Sequence, residues 1–496
     1  MSMALRQPYG KESEFISMWR EIVGSDEDEY IKDLFQKIHY EMGRKVTHFC
    51  DVMVNKIAKV ITSQCIDRFS HSMYKHIITE KTVFRDWMNV KDNNVYSPWG
   101  LFHLLSILYQ ECGPRTKEDM RIKMGLPDDP LLSKGVTHLH RLVRNELYSI
   151  RNYYEDDKEE VMFYGRQHIN LSDQFIDHLK NYYDDCFWRR PLRALREFAI
   201  EDGNKEISDV MNRWIIEKHN DAYDYIEIEE LLRKNVNIKD HSPNSFYIHH
   251  LIKKQIKFKD DFYIDEMQKF WTSQEEFKLI PYMTIKNKGH CVIDTYRKVF
   301  NLHGDDKCIQ ILAIEIPIVR MIDYYDQKIN RNRNEQEDSD NDYSLNSNAS
   351  MWIVKPQYPT DIVNIEDNIE KIRDIITRKS NEDTFYRIID ISLPQLTLCK
   401  TFNMTDSLKD RGITFDINDT FRMTYEKHPE KSVQPSNLDS ITILQTVSIS
   451  TEAEACPKPY PKKDVNQRIL IDHPFYMFII ENKYNLTLFE GSVKDL

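Results

Sequence analysis

The segment Ile469-Leu470-Ile471-Asp472-His473-Pro474-Phe475-Tyr476-Met477-Phe478-Ile479-Ile480 carries more structural information than any other part of the chain. A second apolar run, Leu488-Phe489-Glu490-Gly491-Ser492-Val493, follows the polar residues 481–485. Both runs are rich in aromatic and β-branched side chains, and such runs on either side of a polar turn predict a buried β-hairpin.

The order of these residues also resembles the signature of the serpins. In that family an Asp or Asn, a basic residue, Pro and Phe enter a core hairpin that closes on Leu-Phe-x-Gly. Three further blocks resemble the family in the same order: Asn94-Val95-Tyr96-Ser97-Pro98; Ile280-Pro281-Tyr282-Met283 with Ile314-Glu315-Ile316-Pro317; and Ile391-Ser392-Leu393-Pro394 with Leu408, Gly412, Ile413 and Thr414. The resemblance covers about residues 69–496 and implies an α+β serpin fold of three β-sheets and about eight to nine helices.

The chain divides into an N-terminal extension, residues 1–66, and a serpin-like domain, residues 67–496. The extension begins with a polar lead-in and continues with apolar residues at steps of three and four over residues 31–61, which predict an amphipathic helix. Its apolar stripe includes Leu34, Phe35, Ile38, Phe49, Met53 and Ile57. So large a stripe must be covered, either by the serpin body or by another chain in a homo-oligomer. Both alternatives stay open.

Residues 327–350 are rich in Asn, Asp, Glu and Ser and almost free of apolar side chains. Such a segment cannot repay its ordering entropy by burial. We expect a disordered acidic insertion between two strands of the second sheet.

Composition narrows the choice of partners and compartment. The chain carries 68 basic and 80 acidic residues, a net charge of −12, which disfavours non-specific nucleic-acid binding. We expect no membrane span, because no apolar run approaches 18 residues. No secretory signal is visible at the N-terminus and the eight cysteines are dispersed, which favours an intracellular protein, cytoplasmic or nuclear. A processed secreted form stays open. Scarce glycine with abundant Asn, Ile, Lys and Tyr is typical of AT-rich genomes, such as those of some insects and large viruses.

The sequence contains no motif that predicts an enzyme, a metal site or a cofactor. The nearest approach to a metal pair is His249-His250, and adjacent residues of a strand point to opposite faces. We therefore expect no catalytic residues, no metal ligands and no cofactor.

The loop before the C-terminal hairpin decides which kind of serpin is expected. Inhibitory serpins resemble suicide substrates whose cleaved loop inserts into the main sheet as an extra strand, and the family's proximal hinge carries Glu-x-Gly-Thr and alanines. Here the equivalent of that loop, about residues 450–468, has no hinge glycine and contains Glu452, Glu454, Pro457, Lys458, Pro459, Pro461, Lys462, Lys463 and Arg468. Alternating prolines favour polyproline II and cannot donate to a β-ladder. The family's spacing, counted back from Pro474, places the scissile residue at Lys463. The same spacing, counted forward from Glu452, places it at Arg468. The two counts differ by five, so the loop is about five residues shorter than the family's loop.

Four other features depart from the family pattern in the region where the main sheet must open: three substituted positions and one missing histidine. Phe258 replaces a tryptophan, Gly100 stands where a serine is usual, and Glu111 stands where a glycine is usual. No histidine lies between Ile441 and Ile449, where the family often has one.

These features predict a non-inhibitory serpin-fold protein that acts as a structural, scaffold or protein-interaction component, with itself or another protein as partner. One alternative is a reversible inhibitor of trypsin-like proteases that uses Lys458, Lys462, Lys463 or Arg468 as bait. A second alternative is a small-ligand carrier.

Overall fold

We describe the fold from a computed structural model of the 496-residue chain. The structure describes residues 65–66, 69–70, 73–74, 93–126, 158–165, 169–171, 245–256, 258, 262–264, 267–273, 275–299, 306–318, 349–380, 386–415, 424–427, 433–435, 440–451, 468–482 and 485–496. The predicted interaction helix, with Leu34, Phe35, Ile38, Phe49, Met53 and Ile57, lies outside the described residues, as does most of the predicted acidic insertion.

The described strands are β1 (Lys158–Gly165), β2 (Ile169–Leu171), β3 (Ser245–Ile256), β4 (Phe262–Ile264), β5 (Gln268–Trp271), β6 (Phe277–Ile280), β7 (Tyr282–Val299), β8 (Asp306–Ile318), β9 (Ala349–Pro356), β10 (Tyr386–Pro394), β11 (Thr397–Asn403), β12 (Thr424–Lys427), β13 (Val433–Pro435), β14 (Ser440–Thr451), β15 (Arg468–Leu470), β16 (Phe475–Glu481) and β17 (Leu486–Val493). The helices with complete bounds are α1 (Pro98–Glu111), α2 (Pro114–Lys123), α3 (Ile362–Asp367), α4 (Ile369–Ser380) and α5 (Met404–Asp410), and a 3-10 turn spans Pro359–Asp361. None of the helices in the described part of the chain is long and apolar enough to cross a membrane.

The first sheet has four strands in the order β1-β3-β14-β11. The two outer pairs are antiparallel, whereas β3 and β14 run parallel in unbroken register from Ser245 opposite Ser440 to Ile256 opposite Thr451. A strand placed between β3 and β14 in the reverse direction would therefore be antiparallel to both.

The second sheet has eight strands: β15-β10-β7-β8-β9-β16-β17 in order, with β4 also paired to β7. The long strand β7 joins two parts, because residues 282–290 pair with β10 and residues 291–299 pair with β8. The resemblance implies three separate sheets. Here the part that contains β10 and the part that contains β8 form one continuous sheet through β7. Two small sheets, β13-β12-β2 and β5-β6, complete the described β-structure.

The predicted C-terminal hairpin is present. Strands β16 and β17 pair antiparallel from Phe475 opposite Val493 to Glu481 opposite Leu486, and β16 also pairs with β9. All residues of β17 are buried, and in β16 only Ile480 is partly exposed. The core is therefore built around the segment that the sequence singles out.

Lys355 and His473 fix the turn that leads into this hairpin by binding Asp472. The Lys355 ammonium lies 2.7 Å from the Asp472 carboxylate and donates a hydrogen bond of 2.6 Å to the Leu470 carbonyl. His473 bridges the Asp472 carboxylate and the Pro356 carbonyl, each at 2.8 Å. Burial by itself would raise the pKa of Asp472, but the hydrogen bonds from His473 and Lys355 and their charges hold it well below its usual value.

Gly491 permits close contact between β17 and the segment before α1. A β-carbon at Gly491 would lie 2.0 Å from the Asn94 carbonyl oxygen, and the Gly491 φ angle is +154°. The Asn94 amide donates to the Ser492 carbonyl at 2.9 Å, and Tyr96 and Glu490 exchange two backbone hydrogen bonds of 3.0 Å. No residue with a side chain fits at position 491 without displacing this backbone.

Residues 65, 66, 69, 70, 73 and 74 are helical and buried. The serpin-like domain was expected to begin at residue 67. The helical residues Cys65 and Ile66 lie inside the predicted extension, and their spacing of three to four residues from Phe69 and Ser70 continues the same buried stripe. The serpin-like domain thus includes at least these two residues of the extension.

The predicted insertion ends two residues earlier than expected. Ala349 and Ser350 already belong to β9, where they pair with Ile318 and Pro317 of β8 and are buried. A short polar residue such as Ser350 lacks the apolar signal of a strand, so composition alone extended the insertion too far.

Two carboxylates, Glu490 of β17 and Glu366 of α3, are buried at the C-terminal hairpin formed by β16 and β17. Glu490 accepts hydrogen bonds from Ser70 and Tyr96 and lies 3.3 Å from the Arg373 guanidinium. Glu366 lies 2.8 Å from the Lys494 ammonium. Both carboxylates are almost fully buried, so these ion pairs form part of the core.

Candidate functional site

The first sheet, which holds β3 and β14 and is called the main sheet below, meets the predicted reactive loop at the end of β14. Ser450 and Thr451 are residues of β14, and β15 begins at Arg468. The loop between the two strands therefore spans residues 452–467. Its hinge glutamates, prolines and lysines lie outside the described residues: Glu452, Glu454, Pro457, Lys458, Pro459, Pro461, Lys462 and Lys463.

Arg468 belongs to a strand and not to the loop. It pairs with Asp390 of β10, and its guanidinium donates to the Ser392 hydroxyl at 3.0 Å and to the Thr284 hydroxyl. A bait residue needs an exposed, extended backbone that a protease can bind, whereas the Arg468 backbone is part of a ladder. This pairing fits the backward count, which places the scissile residue at Lys463, better than the forward count, which places it at Arg468.

On one face of the main sheet, three strands are linked by polar side chains. His249 of β3 lies 2.7 Å from the Thr446 hydroxyl of β14, and Thr446 lies 2.6 Å from the Thr401 hydroxyl of β11. All three side chains are buried. Burial and the neighbouring His250 lower the pKa of His249 to about 3, so this imidazole is neutral at physiological pH.

On the other face, Gln445 of β14 ties the sheet to the start of α1. Its amide nitrogen donates to the Ser97 carbonyl at 3.0 Å, its amide oxygen accepts from the Ser97 amide at 3.1 Å, and it lies 3.3 Å from His250 Nδ1. The Ser97 hydroxyl also caps α1 by accepting from the Gly100 amide, and it donates to the Leu488 carbonyl of β17 at 2.6 Å. One glutamine thereby connects the main sheet, α1 and, through Ser97, the C-terminal hairpin.

The prediction that His249 and His250 occupy opposite faces of a strand agrees with these contacts. His249 bonds to the threonines, whereas His250 contacts Gln445 and the first turn of α1. No group of three metal-binding side chains occurs among the residues that the structure describes.

Gly100 explains why this arrangement departs from the family pattern. A β-carbon at Gly100 would lie 2.3 Å from His250 Cε1. The imidazole of β3 thus occupies the space in which a serine side chain was expected. Sequence reasoning noted the glycine and the missing β14 histidine but did not connect either with His250. The available signal was a glycine inside a helix, which is unfavourable unless something packs against it.

Phe258, another of the departures from the family pattern, is buried two residues beyond the end of β3. It forms a bridge with Ile318 and packs edge-on against Phe262 with 6.0 Å between ring centroids. Glu111 is the last residue of α1. The described seam between β3 and β14 is thus paired along its length and linked by side chains on both faces.

Comparison with known proteins agrees with this fold. A family model described as serpin (serine protease inhibitor) matches residues 318–496. An uncharacterized serpin-like protein of Methanosarcina acetivorans is 21% identical over 411 residues, which are 82% of either chain.

Three solved structures resemble the chain over most of its length. Native protease nexin-1 with heparin gives a TM-score of 0.58 at 16% identity and covers 87% of this chain and 99% of that chain. Human glycosylated kallistatin gives 0.59 at 10% identity, with 88% and 98% covered. The mouse protein-Z dependent protease inhibitor gives 0.57 at 13% identity, with 90% and 99% covered. The shared fold, the family model over residues 318–496 and the serpin-like relative together support membership of the serpin superfamily.

Proposed function

We propose that this chain is a non-inhibitory serpin that acts as a structural, scaffold or protein-interaction component. The observation that carries the proposal is the proline pattern of the segment that follows β14 directly. Protease trapping requires that segment to enter the seam between β3 and β14, and the prolines oppose this step.

The sheet topology specifies how the segment would have to enter. Because β3 and β14 are parallel, the inserted strand would turn back after Thr451 and run antiparallel to both neighbours. In a β-strand the N–H groups of residues i, i+2 and i+4 all point towards the same neighbour. Pro457, Pro459 and Pro461 have this spacing. All three missing donors would thus fall on one seam, leaving it without N–H donors over five successive residues.

The energetic penalty of this gap is substantial. At roughly 1 kcal/mol for each lost net hydrogen bond, three absent donors remove about 3 kcal/mol. Each neighbouring carbonyl left buried without a donor adds about 1–3 kcal/mol more. Insertion would also break the twelve paired positions of β3 and β14 and the contacts of Thr446 and Gln445 across the seam. The missing hinge glycine and Glu454 add to the same obstacle.

A reversible inhibitor of trypsin-like proteases is the second candidate. Lys458, Lys462 and Lys463 supply basic residues in the segment between β14 and β15, and Arg468 follows as the first residue of β15. A small-ligand carrier is the third candidate, and no contact among the described residues favours it.

Incubation with trypsin-like and cysteine proteases, followed by denaturing electrophoresis, tests the main proposal. We expect either cleavage within residues 452–467 or no reaction. A covalent complex of the summed mass that survives boiling would overturn the proposal. Competitive inhibition without a covalent complex would instead favour the reversible inhibitor.

A thermal scan of intact and loop-cleaved protein gives an independent result. Insertion of a cleaved loop adds a strand and raises the midpoint, so we expect no large rise for the natural chain. The matched control is the triple variant Pro457→Ala, Pro459→Ala, Pro461→Ala, which restores the three donors. A rise after cleavage only in this variant would show that the prolines block insertion, whereas a rise in the natural chain would contradict the proposal.

A further inference from the structure

The hairpin of β5 and β6 presents an unusual face to solvent. In its register Lys269 lies opposite Leu279, and Trp271 lies opposite Phe277, so these four side chains share one face. Met267 precedes β5 and continues the same alternation. We call Met267, Lys269, Trp271, Phe277 and Leu279 the hairpin face.

The opposite side of the hairpin already covers the protein core. Phe270 and Ile280 are buried there. A sheet with one buried face normally exposes polar residues on the other face. Here the exposed fractions are 57% for Met267, 43% for Phe277 and 57% for Leu279. Both faces of this hairpin thus carry large apolar side chains, although only Phe270 and Ile280 are buried by the core.

The exposed apolar residues are concentrated at this place. Of the six large hydrophobic side chains that are exposed in the described part of the chain, four lie between residues 264 and 279. Clusters of this kind mark interaction surfaces more often than isolated exposed residues do.

A single cation lies within the hairpin face. The Lys269 ammonium is 4.3 Å from the Phe277 ring centroid and 5.6 Å from that of Trp271, and the two rings pack edge-on with centroids 5.1 Å apart. An occupant that complements this face therefore carries apolar side chains close to a carboxylate.

The chain itself contains a segment with this chemistry. The acidic run Asp26-Glu27-Asp28-Glu29 is followed directly by Tyr30 and Ile31, and then by Leu34, Phe35 and Ile38 at helical spacing. The carboxylates suit Lys269, and the apolar stripe suits Phe277 and Leu279.

We propose that residues 26–38 of one copy dock on the hairpin face of a second copy. This inference rests on the proposed interaction function and specifies its partner. Met267, Phe277 and Leu279 are exposed in the single chain. Each copy offers one segment and one face, so two copies can make both contacts around a twofold axis. The net charge of −12 does not prevent this, because repulsion between distant charges is screened beyond about 8 Å at physiological ionic strength.

Sedimentation equilibrium of the full chain over a range of concentrations tests the proposal. We expect a reversible dimer whose dissociation constant rises at least about tenfold in Leu279→Asp and in Phe35→Asp, the factor that corresponds to 1.4 kcal/mol. The matched control is Ile122→Asp on α2, because Ile122 is 55% exposed but lies outside the hairpin face. We expect this control to dimerise like the natural chain. Circular dichroism checks that every variant is folded.

A charge reversal keeps the test decisive if Leu279→Asp is unfolded. Lys269→Glu should weaken the dimer, and combining it with Asp26→Lys, Glu27→Lys, Asp28→Lys and Glu29→Lys should restore it. Restoration by a second set of charge reversals would not follow from a merely structural role of Lys269.

Carbodiimide cross-linking of a mixture of ¹⁴N- and ¹⁵N-labelled full chains identifies the occupant. We expect peptides that join Lys269 to the acidic run 26–29 and carry both labels. Only same-label links would assign the face to the chain's own segment and overturn the proposal. A monomer at all concentrations, or a dimer that Leu279→Asp does not weaken, would also overturn it. These failures would leave the proposal of a non-inhibitory protein intact. Protease trapping depends on residues 452–467 and is tested separately, by incubation with proteases and denaturing electrophoresis.

Discussion

Gly100 and His250 share one space in the protein: the position of a β-carbon on the glycine lies 2.3 Å from Cε1 of the imidazole. The two residues are on different elements, α1 and β3, and the imidazole also contacts Gln445 of β14. The identity of residue 100 is therefore coupled to the side chain at position 250 and, through it, to the seam of the main sheet.

We expect Gly100→Ala to destabilise the protein by about 1–3 kcal/mol, because the added methyl group overpacks a buried site. In a His250→Ala background the same change should be neutral or stabilise by up to about 1 kcal/mol, since alanine favours a helix interior over glycine. Urea unfolding of the two single variants and the double variant measures this coupling. Equal effects in both backgrounds would show that the two side chains do not interact.

His249 should make stability depend on pH. Its pKa falls from an ordinary 6.5 to about 3 in the folded protein, so the unfolded chain binds the proton more tightly. Stability is therefore complete above pH 6.5 and decreases as the pH falls towards 3, by about 2 kcal/mol between pH 7 and pH 5. The control is His249→Phe, in which this part of the pH dependence should disappear. An unchanged slope in that variant would show that His249 does not titrate in this way.

The Asp472 carboxylate should contribute stability with the opposite pH dependence. Because its folded pKa is depressed, its contribution is present above the ordinary value of 3.8 and is lost as the pH falls below it. We expect Asp472→Asn to destabilise the protein by about 1–3 kcal/mol at pH 7, since Lys355 loses its charged partner. Thermal unfolding at pH 7 and pH 3 measures the effect. The difference between variant and natural chain should shrink at pH 3; if it grows, the assignment is wrong.

The ion pair of Glu490 and Arg373 should show strong non-additivity. Replacing Glu490 by Met leaves the Arg373 guanidinium without its buried partner and should destabilise by about 3–5 kcal/mol. The double variant Glu490→Met, Arg373→Met should be less destabilised than that single variant, because no buried charge remains unpaired. Chemical unfolding of the four proteins forms the cycle, and additive effects would indicate that the ion pair is not coupled in solution.

Local patterns in the sequence predicted the elements of the fold well. The apolar runs of β16 and β17 depend on neighbours in sequence, and the hairpin that they predict is found in the structure. The blocks at Asn94–Pro98 and Ile391–Pro394 entered through the resemblance to the family, and they lie at the start of α1 and the end of β10. The fold class follows from such elements because they occur in a characteristic order.

The partners of buried polar residues could not be predicted in the same way. Glu490 interrupts an apolar strand, and its ionic partner Arg373 is 117 residues away. Gln445 and His250 meet only because β14 and β3 are in parallel register. Such contacts depend on which strands pair and in which register, and the periodicity of apolar residues along the sequence does not specify either. For the same reason, the absence of a histidine from β14 did not predict the polar link that Gln445 and Thr446 form there with β3.

The bond between Asn94 and Ser492 also has a consequence for how the protein is made. Ribosomes synthesise a chain from its N-terminus, so Asn94 and Tyr96 are complete nearly four hundred residues before Ser492 and Glu490 exist. Throughout that interval the start of α1 lacks the strand that it will pack against, and its apolar side chains lack their final neighbours. Partly folded chains with such exposed surface aggregate readily. We therefore expect nascent chains arrested before residue 475 to be retained by chaperones, and to be released once β17 has emerged.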